Sequence, residues 1–180
     1  MIKSLFIFRG IRLDNILLNS NGYCKLTGFS RSLKIENDDD VYNPTPTTIY
    51  SLPEYFIDRK CEYSADYWGL GLLSYKMVTG NLPFSDPESI ENEEFPSLDK
   101  FLISIECKEF ISNLLEKDKY KRLGSRKNPN KARDHSFFKK LDWEKLEKGE
   151  LEAPFIPTVV ISFIYFYDLM NFNKLKIQST

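Results

Sequence analysis

The chain has 180 residues, a length that fits one domain, and its 42% apolar and 14% aromatic content suits a packed core and excludes a disordered chain. Its 25 basic and 26 acidic residues leave a net charge of −1, so the balance points neither to nucleic acid nor to an anionic membrane as partner. The three cysteines, Cys24, Cys61 and Cys107, are widely spaced and form no CxxC pair. That excludes a disulfide framework and a zinc site, and it predicts an intracellular, cytoplasmic setting in which each cysteine is a small buried apolar residue.

In chain order, residues 1–8 hold one lysine and an apolar run too short for a signal-peptide core or a membrane span. Residues 11–26 read as paired short strands, because apolar Ile16-Leu17-Leu18 is followed by the turn signal Asn19-Ser20-Asn21-Gly22 and by Tyr23-Cys24-Lys25-Leu26. Residues 36–48, acidic and then rich in proline, read as a mobile loop. Residues 64–79 predict a helix with Ser64 as N-cap and Gly80 as stop. It is apolar nearly all round, so it belongs at the centre of the fold. Residues 83–96 are acidic and loop-like. A second helix is expected over 105–116, with Phe110, Ile111, Leu114 and Leu115 on one stripe. Residues 128–148 form a basic region of helical turns around Phe137, Phe138 and Trp143. The basic stretches 117–122 and 125–127 read as a solvated face, and His135, the one histidine, as a structural residue. Residues 159–167 are almost wholly apolar but shorter than the ~20 residues a spanning helix needs, so they read as a buried strand or a chance sequence.

Five segments in order carry a resemblance. Phe8-Arg9-Gly10-Ile11-Arg12-Leu13-Asp14-Asn15 resembles the catalytic loop of protein kinases. Lys25-Leu26-Thr27-Gly28-Phe29-Ser30 resembles the strand leading into D-F-G, and Leu52-Pro53-Glu54 resembles A-P-E. Asp66-Tyr67-Trp68-Gly69-Leu70-Gly71 is similar to the start of the central C-lobe helix, and Arg122-Leu123-Gly124 to the arginine motif near the end of that lobe. Arg12-Leu13-Asp14-Asn15, His135-Ser136-Phe137-Phe138, Leu141-Asp142-Trp143 and Ala153-Pro154-Phe155-Ile156-Pro157 narrow the likeness to AGC serine/threonine kinases, most of all the protein kinase C and protein kinase N branches. The fold this implies is mainly α (α+β): a kinase C-lobe over residues 1–159 with a small β-hairpin, no N-lobe, and an unrelated tail over 160–180.

The same resemblance implies damaged chemistry. Gly10 stands where the family has the aspartate that orients the attacking hydroxyl, and Arg12 stands at the catalytic-loop lysine. Asn15 keeps the position of a magnesium ligand, but Gly28 replaces the D-F-G aspartate, the main one. Leu17, Leu73 and Met77 match the floor under adenine, and Phe8 and Phe29 match two members of the family's aromatic–apolar column. More simply, all five read as core residues. Glu54 and Arg122 match a structural ion pair, and Asp66 an acceptor for the catalytic-loop backbone. The family's phosphorylated threonine falls on Asn43, and Thr47 on the threonine that meets the lost aspartate.

The function this implies is a pseudokinase-like C-lobe, a binding module for another protein or the remnant of a kinase gene. No cofactor is expected, with ATP and Mg²⁺ entering only if residual kinase function exists. The alternative is a divergent ATP-dependent serine/threonine kinase whose N-lobe lies outside this sequence. A third reading is a purely structural interaction domain that binds no nucleotide.

Overall fold

The computed structural model describes residues 6–34, 41–42, 48–125 and 131–158. Its strands are β1 (Phe6–Ile7), β2 (Ile16–Leu18), β3 (Cys24–Leu26), β4 (Leu33–Lys34), β5 (Val41–Tyr42) and β6 (Lys60–Cys61). Its helices are α1 (Glu54–Ile57), α2 (Ser64–Thr79), α3 (Pro87–Asn92), α4 (Ile105–Leu114) and α5 (Trp143–Lys148). The described residues are thus mainly helical, with strands joined only in antiparallel pairs: β1 with β4, β2 with β3, and β5 with β6. No helix among them is long and apolar enough to cross a membrane. The apolar tail predicted from residue 159 lies outside the described residues.

The chain divides into two compact units. The larger comprises residues 1–11 and 29–141 and is organised on α2. Trp68 and Leu72 are fully buried there, packed with Ile7, Cys61, Tyr75, Phe84, Ile90 and Ile111. Each such side chain contributes about 1.5–3 kcal/mol by leaving water. Gly71 lets α4 approach closely, since a Cβ there would stand 2.9 Å from the Leu114 Cβ. Gly80 ends α2 in the left-handed conformation, its N–H donating to the Lys76 carbonyl.

Local chemistry corrects several expectations. Ser64 is not the N-cap of α2. Tyr63 holds that position, and the Ser64 hydroxyl instead donates to the Lys119 carbonyl across 3.1 Å. The acidic stretch 83–96 contains α3, because Asp86 and Ser89 cap its start reciprocally and Pro87 suits a first turn. Most of the loop expected over 36–48 lies outside the described residues, but Val41–Tyr42 pairs with Lys60–Cys61 as a strand. Of the cysteines only Cys61 is buried; Cys24 is exposed because β3 is open on both faces. The solvated basic face also fails in part. Lys119 is buried with its ammonium 3.0 Å from Asp58, and Arg122 is buried too.

α4 begins at the cap Ser104, and Glu106 in its first turn accepts from Lys139 Nζ at 2.8 Å. That hydrogen bond, with smaller contributions from the Glu106 N–H and Ser104, lowers the Glu106 pKa from 4.5 to about 2. A depressed folded-state pKa contributes stability above 4.5 and loses it as pH falls towards about 2. Substituting Lys139→Met should move the Glu106 titration, followed by carboxyl ¹³C NMR, back up towards 4.5. An unmoved midpoint would show that Lys139 is not the cause.

The smaller unit comprises residues 12–28 and 142–180. Its β2–β3 hairpin turns at Gly22, whose positive φ of 80° a side chain would strain. A Cβ there would also collide with the Phe155 carbonyl and the Ala153 side chain, so residues 151–155 pass directly over the turn. The Tyr23 hydroxyl adds a 2.8 Å hydrogen bond to the Leu151 carbonyl. α5 is capped by Asp142, which accepts from the Lys145 N–H at 3.0 Å, and it ends at left-handed Gly149.

Candidate functional site

In the larger unit the loop after β1 is shaped by one carboxylate. Asp66, in the first turn of α2, accepts from the Phe8 N–H at 2.8 Å and from the Arg9 N–H at 2.7 Å. These bonds hold Arg9 at a φ of 54°, a conformation uncommon outside glycine. Burial raises the Asp66 pKa, while the two backbone donors pull it down and burial wins. Arg9 Nε donates to the Arg31 carbonyl at 2.8 Å, so the guanidinium is tied to the turn that follows Phe29. Partial burial lowers its pKa. Gly10 is buried and presents no side chain where the loop could have offered a carboxylate.

Phe8 and Phe29 touch, with ring centroids 4.9 Å apart. Phe8 and Leu73 are buried, but Phe29 is 60% exposed, Met77 64% and Leu17 41%. The core reading of these last three is therefore corrected. Phe29 lies in a three-residue 3-10 turn and Leu17 in a two-stranded hairpin, neither of which buries both faces of its own chain. Met77 lies on the part of α2 that nothing described covers, which is why an all-round apolar pattern overstates the burial of this helix.

Glu54 and Arg122 form a bidentate pair, with Nη2–Oε2 at 2.8 Å and Nη1–Oε1 at 3.1 Å. Both side chains are nearly inaccessible. The remaining Arg122 donors reach the carbonyls of Glu116, Lys117 and Ser64, and the guanidinium lies 5.1 Å from the centre of the Trp68 ring. Sequence reading missed these carbonyls and the Ser64–Lys119 bond, because no side-chain pattern marks a backbone acceptor.

In the smaller unit, Arg12 precedes a 3-10 turn, Leu13–Asn15. Its guanidinium holds Asp14, with Nε 2.7 Å from Oδ2 and Nη2 also bonded to that oxygen. The Asn15 carbonyl accepts from the Thr27 N–H at 2.9 Å, one step beyond the Ile16–Leu26 pair. Gly28 follows with a φ of 80°. A Cβ on it would stand 2.6 Å from Asn15 Oδ1. His135, in the larger unit, accepts from the Phe137 N–H and packs edge-on to Phe110. Among the described residues no group of three or more His, Cys, Asp or Glu could hold a metal ion.

A family model described as the protein kinase domain matches residues 2–138. The chain belongs to the protein kinase family. Within it the likeness is to AGC-type serine/threonine kinases. The serine/threonine-protein kinase sgk-1 of Caenorhabditis elegans is 37% identical over 164 residues, covering 85% of this chain and 34% of that kinase. A protein kinase C of Drosophila melanogaster is 37% identical over 158 residues, covering 84% of this chain and 21% of that enzyme. The rhodopsin kinase grk7-a of Xenopus laevis is 28% identical over 180 residues, covering 94% and 33%. The chain thus spans between about a fifth and about a third of the length of these relatives.

Kinases use magnesium, so the residues of the smaller unit can be tested against it. The ion takes near-octahedral oxygen ligands and favours carboxylates with phosphates. Gly28 supplies no donor, the Asn15 amide is neutral and packed on Gly28, and the Asp14 carboxylate is engaged by Arg12. Among the described residues of the smaller unit, these groups do not fit the ion.

Proposed function

We propose that the chain is a catalytically impaired member of the AGC kinases, a pseudokinase-like C-lobe that serves as a binding module for another protein. The observation that carries this reading is the pair of glycines at two positions where the family pattern has carboxylates, Gly10 and Gly28. A positioned general base contributes ~10²–10⁴-fold in rate, and phosphoryl transfer depends further on metal-borne charge stabilisation. What remains intact supports architecture over chemistry: the Asp66 clamp on the loop backbone and the Glu54–Arg122 pair. On this reading neither ATP nor Mg²⁺ is a working cofactor, and the setting is cytoplasmic. The lobe runs to residue 159, with a distinct tail after it.

The competing reading is an active, divergent serine/threonine kinase that uses parts outside this chain. Arg9, Asn15 and the Glu54–Arg122 pair favour it, since all are compatible with a working activation segment. The impaired reading is tested directly on the chain. The purified chain is followed by near-UV circular dichroism on heating, with and without Mg-ATP, and assayed for labelled phosphate transfer to itself and to a serine/threonine peptide library. The expected result is a cooperative transition that Mg-ATP leaves in place, with no incorporation above background. A raised transition or measurable transfer would overturn the impaired reading.

A further inference from the structure

We propose that Asn15 and Gly28 form a mutually dependent pair, in which the Asn15 amide occupies the volume that a side chain at residue 28 would need. The backbone then accepts a side chain at residue 28 or the amide in its present place, and not both. This rests on the reading above that the magnesium site is lost, and it adds why restoring one carboxylate does not recover it.

The two backbones are fixed relative to each other. The Thr27 N–H donates to the Asn15 carbonyl, and the Asn15 N–H donates to the Arg12 carbonyl at 3.0 Å. β2 and β3 then pair from Ile16 and Leu26 onward. Against that frame a Cβ on Gly28 would lie 2.6 Å from Asn15 Oδ1, 2.8 Å from Cγ and 3.1 Å from Nδ2. All three are shorter than ordinary carbon contacts of about 3.5–4.0 Å. Flipping the amide about its last torsion exchanges Oδ1 and Nδ2 but leaves Cγ where it is. Only a change in χ1, which swings the whole amide away from residue 28, clears the space. The positive φ at Gly28 adds a backbone cost for any other residue. In the family pattern, positions 15 and 28 together supply the metal ligands. Here a carboxylate placed at 28 evicts the amide at 15.

The test is a double-mutant cycle on the full chain, Gly28→Ala and Asn15→Ala singly and together, read by thermal unfolding. It is joined by Mn²⁺ titration of the wild type and of Gly28→Asp, read by paramagnetic broadening of amide resonances. Gly28→Ala should lower the transition by about 3–6 °C, and by roughly half as much when Asn15 is already alanine. Gly28→Asp should bind Mn²⁺ no more tightly than the wild type. Additive shifts in the cycle would overturn the pairing. So would Mn²⁺ binding by Gly28→Asp that broadens residues 15 and 28 together. If both variants carrying Gly28→Ala fail to fold, strain at residue 28 alone sets the effect and the pairing also falls. Mn²⁺ binding by the wild type would sink the impaired-kinase reading instead, so the two failures are distinct.

Discussion

Replacing Arg122 by methionine should lower the thermal transition of this chain by about 6–20 °C, or abolish it. The guanidinium is 1% exposed and Glu54 is 2% exposed, so removing the cation strands a carboxylate where water cannot reach it. Breaking a buried pair in this way costs about 3–5 kcal/mol, and each kcal/mol moves the transition of a chain this size by about 2–4 °C. Glu54→Gln should do similar damage from the other side, leaving the guanidinium among neutral acceptors. Arg122→Lys should not rescue, because an ammonium cannot fork onto both oxygens of Glu54 while also reaching the carbonyls of Glu116 and Lys117. Arg122→Met combined with Glu54→Leu should cost clearly less than the two single changes added, since no charge is then left unpaired. Circular dichroism on heating reads all of these, with Glu54→Leu alone as the second single change. A loss below about 2 °C for Arg122→Met would mean the pair is not buried in solution.

What the sequence exposes and what it hides follow from where the information sits. The limits of α2 were legible because apolar residues run from Trp68 to Val78 and Gly80 follows them. The hairpin was legible because Asn19 to Gly22 separates two apolar runs. α3 was not, since its apolar content is small and its start depends on hydrogen bonds between Asp86 and Ser89 that composition does not reveal. β5 was hidden for a related reason. Two residues pair with Lys60–Cys61 along the backbone, and a stretch of acids and prolines around them reads as loop.

At the site, Gly10 and Gly28 were legible directly, because a glycine in place of a carboxylate is visible in one letter. Burial was harder. Leu17, Phe29 and Met77 are apolar and read as core, yet their exposure depends on what packs beside them, a tertiary property with no local sign. Lys119 shows the converse: a lysine in a basic run reads as solvated, but Asp58 and the Lys60 carbonyl take its ammonium inside. The packing of Asn15 on Gly28 was hidden too, because it depends on the φ of one residue and the side-chain torsion of another thirteen positions away.

Gly124 shows how a motif can be recognised before its reason is. It closes Arg122-Leu123-Gly124 with a φ of 79°, in the region that disfavours any Cβ. A Cβ there would also run into the ring of Tyr67, a partly buried side chain packed against the apolar group of Phe110, Leu114 and Leu123. Gly124→Ala therefore meets two costs, about 1–2 kcal/mol of backbone strain and about 1–3 kcal/mol of overpacking. The expected fall in the transition is about 4–20 °C. Tyr67→Ala alone opens a cavity and is itself destabilising, but in that background the ring no longer blocks the new methyl group. Gly124→Ala should then cost only its backbone share, roughly half its effect in the wild type. If the cost is the same in both backgrounds, the ring is not the obstacle and the motif keeps its glycine for the backbone alone.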